Sequence, residues 1–158
     1  MRGALALMAC LAVACPAYAL EGRVVGVADG DSITVLVGGK GQIKVRLYGI
    51  DCLERRQDYG KRARAYTRKA LLGKAARIVE IGRDRYGRVL GIVTGPQGEA
   101  NRALVSAGLA WVYEQYCKRP ECAQWRQEQA AAQDARRGLW RDKHAVPPWE
   151  WRRGVKRP

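Results

Sequence analysis

Apolar and polar residues alternate along the early part of the chain with the two-residue period of a strand. Over 42–48, Ile43, Val45 and Leu47 fall on one face and Lys44 and Arg46 on the other. Residues 23–28 and the β-rich 32–37 predict two more strands, with Asp29-Gly30-Asp31 as the turn between them. Gly38-Gly39-Lys40-Gly41 is a hairpin signal. The period then changes. Ala63, Tyr66 and Ala70 stand at i, i+3 and i+7, which predicts a helix over 59–72 with Gly73 as its stop. Residues 76–81 and 89–93 predict two strands around a polar turn. Gly95-Pro96-Gln97-Gly98 turns the chain into a helix over 99–107, and the Ala- and Gln-rich 123–137 predicts another, ending at Gly138. Five short strands with interspersed helices predict a small α+β barrel.

Composition narrows the class. The chain has 158 residues, the length of one domain, and 47% of them are apolar, too many for a disordered chain. A single histidine, His144, leaves no room for a multi-His metal site. The formal net charge is +14, which points to an anionic partner such as nucleic acid or a membrane surface. The excess is uneven. Between Arg55 and Arg88 there are twelve Lys or Arg against three acids, and from Arg141 onward six against two.

The first 19 residues read as a secretory signal peptide. Arg2 precedes a short apolar core, and Ala17-Tyr18-Ala19 places a cut before Leu20. The core is shorter than the ~20 residues that span a bilayer, so no stable membrane insertion of the mature chain is expected. Export leaves Cys52, Cys117 and Cys122. An oxidising compartment favours a bond between Cys117 and Cys122 across the loop Lys118-Arg119-Pro120-Glu121. The alternatives are two free thiols or a metal pair, and no second CxxC or His cluster supports a metal. Cys52 is then the odd thiol.

In so basic a chain the acids near strand ends stand out: Asp29, Asp31, Asp51 and Glu54. Two carboxylates with main-chain carbonyls and water make a hard oxygen site for Ca²⁺ or Mg²⁺. A third carboxylate held off the metal can act as general base. Arginines on neighbouring strands can clamp a phosphoryl group and stabilise transition-state charge.

These segments resemble the thermonuclease family, the staphylococcal nuclease-like phosphodiesterases. The likeness is carried by Asp29-Gly30-Asp31-Ser32, by 45–54 (Val-Arg-Leu-Tyr-Gly-Ile-Asp-Cys-Leu-Glu) and by Asp84-Arg85-Tyr86-Gly87-Arg88. Ala103-Leu104-Val105, Gly108-Leu109-Ala110 and Gly138-Leu139-Trp140 continue it, in family order from about residue 23 to 142. The resemblance implies a five-stranded barrel of the oligonucleotide-binding (OB) type with about three helices. It implies a Ca²⁺-dependent nuclease, periplasmic or secreted, that cleaves mainly single-stranded DNA and RNA and leaves 3′-phosphates. Asp31 and Asp51 match the metal carboxylates, and Cys52 the position that offers its backbone carbonyl. Glu54 matches the general base, Arg46 and Arg88 the phosphate-binding arginines, Tyr86 a position near the nucleotide, and Asp29 a supporting acid. Leu53 stands where many members have Pro. The expected organisation is a signal over 1–19, a nuclease domain over 20–142 and a basic tail over 143–158, in a monomer with no inferred protein partner. The rival reading is a non-catalytic single-strand binder, which has no need of all five of Asp31, Asp51, Glu54, Arg46 and Arg88.

Overall fold

A computed structural model describes residues 19–155; the proposed signal sequence, apart from Ala19, lies outside the described residues. Five strands close the barrel: β1 (Ala19–Val27), β2 (Ser32–Val37), β3 (Gly41–Leu47), and, after a short β4 (Ile50–Cys52) and the helix α1 (Gly60–Leu71), β5 (Ala75–Arg83) and β6 (Val89–Gly95). The sheet runs β3-β2-β1-β5-β6, and a parallel pairing of β3 with β6 closes it. This is the expected α+β barrel. The residues that β1 to β6 turn inward, Val24, Val35, Val45, Leu47, Ile78, Val89 and Val93, are almost wholly buried. In β3 the alternation holds: Val45 and Leu47 face the core and Lys44 faces water.

The remaining elements flank the barrel. The two-residue β7 (Gly98–Glu99) leads into α2 (Ala100–Ser106); β8 (Ala110–Val112) and α3 (Glu121–Asp134) follow, with a one-turn helix α4 (Pro148–Trp151) near the end. The sequence pattern leaves β4, β7, β8 and α4 unmarked. Each is four residues or shorter, less than a period-based reading can resolve. The β4–β8 ladder pairs Asp51 with Trp111 and Cys52 with Ala110, and so fixes the segment that carries Asp51.

One face differs from expectation. The buried side of α1 is Gly60, Ala63, Thr67 and Leu71, while Tyr66 is exposed. Thr67 takes the inner position because its hydroxyl has a partner there. It donates to the Gly30 carbonyl at 2.6 Å, as well as to Ala63 of its own helix at 3.2 Å. This bond docks α1 on the Asp29-Gly30-Asp31 turn. Gly30 must be glycine for the same contact, since a Cβ there would lie 2.7 Å from Cys52 Sγ and 2.8 Å from Ala63 Cβ. Among the described residues no helix is long and apolar enough to cross a membrane.

Candidate active site

The acids cluster where the strands leave the barrel. Antiparallel register sets Ser32, next to Asp31, against Arg46, and the parallel pairing sets Arg46 against Leu90, two residues past Arg88. Asp31 and Asp51 are 4% and 1% exposed, so neither carboxylate can rely on bulk water. Their partners come from the chain. Asp31 Oδ2 accepts from the Cys52 amide at 2.6 Å, and Asp31 Oδ1 accepts from the Ser32 hydroxyl at 3.3 Å. Arg46 bridges the two, ion-paired to Asp31 and 2.6 Å from Asp51 Oδ1. Two buried anions are thus held together by one guanidinium.

Glu54 follows β4 in a tight loop. Its amide donates to Gln57 Oε1 and its carbonyl accepts from the Gln57 amide, both at 2.8 Å. Gly60 packs so closely on this loop that a Cβ would collide with the Glu54 carbonyl. The Glu54 side chain, 40% exposed, turns toward Asp51 and shares a cation with it. That cation is Arg152, just past α4. Its Nη1 lies 2.8 Å from Glu54 Oε1 and its Nη2 2.7 Å from Asp51 Oδ2. Burial opposes the charge on Arg152, but the bonds to Asp51 and Glu54 outweigh it and hold the guanidinium above its usual range.

Arg88 stands at one side of this group. Its Nε donates to Asp84 Oδ2 at 2.7 Å and its Nη1 to the Ser32 hydroxyl at 3.3 Å, one residue from Asp31. Burial pushes Asp84 up, yet hydrogen bonds from the Arg88 side chain and from the Arg88 and Tyr86 amides outweigh it and hold the carboxyl below its ordinary value. Tyr86 is 68% exposed on the same hairpin, with Arg85 over its ring. Asp29 contributes to the turn, where its Oδ1 accepts from the Asp31 amide at 3.2 Å.

Cys52 is a buried free thiol, and burial pushes its pKa far above the usual thiol value. Burial thus disfavours the thiolate, the form of the side chain that acts as a nucleophile. Cys117 and Cys122 are bonded to each other. The structure therefore gathers Asp31, Asp51, Arg46 and Glu54, sets Arg88 beside them through Ser32, and leaves Tyr86 at the rim. Sequence reasoning missed Gln57, which braces the Glu54 loop, and Arg152. Neither has a spacing that marks it; Arg152 is 98 residues from Glu54 and 101 from Asp51.

An OB-type barrel with buried acids and arginines at one end of β3 is the architecture of a barrel nuclease. The chain belongs to the family described as staphylococcal nuclease homologue, whose model matches residues 44–142. It is 43% identical over 134 residues to an uncharacterized endonuclease of Escherichia coli, covering 84% of this chain and 85% of the relative. It is 42% identical over 163 residues to protein ParB of Escherichia coli, covering 97% and 91%. To the micrococcal nuclease of Shigella flexneri it is 39% identical over 163 residues, covering 97% and 92%.

Proposed function

We propose that this nuclease hydrolyses phosphodiester bonds of single-stranded DNA and RNA with Ca²⁺, outside the cytoplasm, and leaves 3′-phosphate ends. The observation that carries the reading is the convergence of Asp31, from the turn before β2, and Asp51, from β4, onto one guanidinium with Glu54 alongside. Among the described residues no group of three or more His, Cys, Asp or Glu is arranged as a metal cage. The donor set is instead two hard carboxylates, with the Cys52 carbonyl and water to complete it. That chemistry fits Ca²⁺ better than a soft metal.

A bound Ca²⁺ supplies Lewis-acid polarisation of the phosphate. The chain's residues do the rest. Glu54 accepts a proton from the attacking water as its oxygen bonds to phosphorus. The bond from phosphorus to the 5′ oxygen breaks, and that oxygen takes a proton from solvent water and leaves as a 5′-hydroxyl. Arg46 and Arg88 balance the charge that builds on the phosphoryl oxygens. Tyr86, exposed on the Arg88 hairpin, lies near the nucleotide, and Asp29 holds the Asp31 turn. The test is digestion of heat-denatured DNA and of RNA with Ca²⁺ or with chelator, followed by end-group analysis. Cutting that survives chelation, or 5′-phosphate ends, would overturn the reading.

A further inference from the structure

The C-terminal segment is built onto the active site. Pro147 is extended and Pro148 starts α4 at its first helical position, where a missing N–H costs nothing. Just before them, the Val146 carbonyl accepts from Gln57 Nε2 at 3.0 Å, which ties the segment to the loop that holds Glu54. Trp149 stacks on Tyr113 with ring centroids 4.8 Å apart and planes at 7°, and meets Trp111 edge-on at 5.8 Å. Trp111 pairs with Asp51 across the β4–β8 ladder. These contacts deliver Arg152 to the carboxylates, where it takes both oxygens of Asp51, at 2.7 and 3.3 Å, and one of Glu54.

We propose that Arg152 is an intramolecular cation that occupies the metal seat, and that the segment 146–152 is a strap that must yield Asp51 before a divalent ion binds. Asp51 is 1% exposed, and its two oxygens are already shared between Arg46 and Arg152. These bonds take three of the roughly four lone-pair sites of the Asp51 carboxylate, so a metal ion that approaches it meets the charge of one guanidinium or the other. Arg46 is the deeper of the two, with its side chain 15% exposed and bound to both aspartates. Arg152 is 43% exposed just past a one-turn helix, and is the group that can leave. Two guanidiniums against Asp31, Asp51 and Glu54 leave one net negative charge. Exchange of Arg152 for a dication neutralises the cluster.

The inference rests on the reading of Asp31 and Asp51 as metal ligands, and calorimetric titration with Ca²⁺ separates the two. Arg152→Ala and a chain ending at Val146 are each compared with wild type, with Asp51→Asn as the control for the seat and thermal unfolding as the check on folding. The expected result is tighter Ca²⁺ binding in both altered chains, by at least roughly ten- to a hundred-fold, the equivalent of one charge-assisted hydrogen bond out of the three that Arg152 gives up. An unchanged or weakened Ca²⁺ affinity in Arg152→Ala overturns the strap. If kcat/KM alone falls, Arg152 is a substrate contact instead. Absence of saturable binding in wild type and variants alike overturns the metal reading itself, and the strap with it.

Discussion

At the scale of single residues, the site depends on which carboxylate is left free to take a proton. Asp31 and Asp51 are buried and bound by Arg46; Glu54 is partly exposed, and among the described residues its carboxylate pairs with the strap's guanidinium alone. Glu54→Gln keeps shape and hydrogen bonding but cannot accept a proton. The expected loss in kcat on single-stranded DNA is roughly 10²–10⁴, with Ca²⁺ affinity little changed. A variant retaining more than about a tenth of wild-type kcat would remove Glu54 as the base. Asp31→Asn should instead raise the Ca²⁺ concentration needed for half-maximal rate, with added metal restoring much of the activity. Asp31, Asp51 and Glu54 were legible in the sequence because acids are scarce in this chain and these sit at strand ends. Arg152 was not, because it is one of many cations in a basic tail. Only tertiary packing distinguishes it from its neighbour Arg153, which donates to the Trp149 carbonyl.

At the scale of elements, β3 and α1 are readable from their period, α2 from the glycine-rich turn before it and α3 from its Ala- and Gln-rich composition. What periodicity did not reveal is the polar stitching between them. Thr67 joins α1 to the Asp29-Gly30-Asp31 turn, and Asn101, fully buried in α2, accepts from the Val93 amide at 3.0 Å and donates to the Tyr48 carbonyl at 2.9 Å. A polar residue in an amphipathic pattern reads as solvent-facing, so its burial emerges only when the partner element is in place. Thr67→Val keeps volume and leaves the buried Gly30 carbonyl without that donor. The expected cost is about 1–3 kcal/mol by denaturant unfolding, and a change under about 0.5 kcal/mol would show that water replaces the hydroxyl. The disulfide acts at the same scale. Cys117 and Cys122 close a loop of sequence separation 5 at the start of α3. Replacing both with Ser should cost about 2 kcal/mol, the entropy of so short a loop, and cutting should persist because neither sulfur touches the acids.

At the scale of the whole molecule, the acids sit amid basic surface. Arg55 and Arg56 follow Glu54 directly and are exposed, and Arg83 and Arg85 are exposed on the strand and hairpin that carry Arg88. These exposed cations, close in sequence to Glu54 and Arg88, are available to the phosphates that flank a scissile bond held at the acids. Each phosphate neutralised releases counterions, so affinity falls with salt by roughly 0.7 in log–log slope per contact for a single strand. With Arg88 and the flanking arginines supplying three to five contacts, the slope for the Glu54→Gln enzyme should be roughly −2 to −3.5. The strap sharpens the expectation. Removal of 147–158 takes away the tail's cations but also uncovers Tyr113, on which Trp149 stacks. If the tail's charges contact substrate, truncation should flatten the slope by at least one contact. If the tail only covers the site, the slope should stay the same while affinity at every salt concentration rises. Fluorescence anisotropy of a labelled oligonucleotide across a salt series, with both chains, reads the two quantities independently. The contacts of Trp149 with Tyr113 and of Arg152 with Asp51 and Glu54 favour the second outcome, since a segment held on the acids themselves would be displaced by substrate that reaches them. A slope near zero in both chains would remove the electrostatic account of binding altogether.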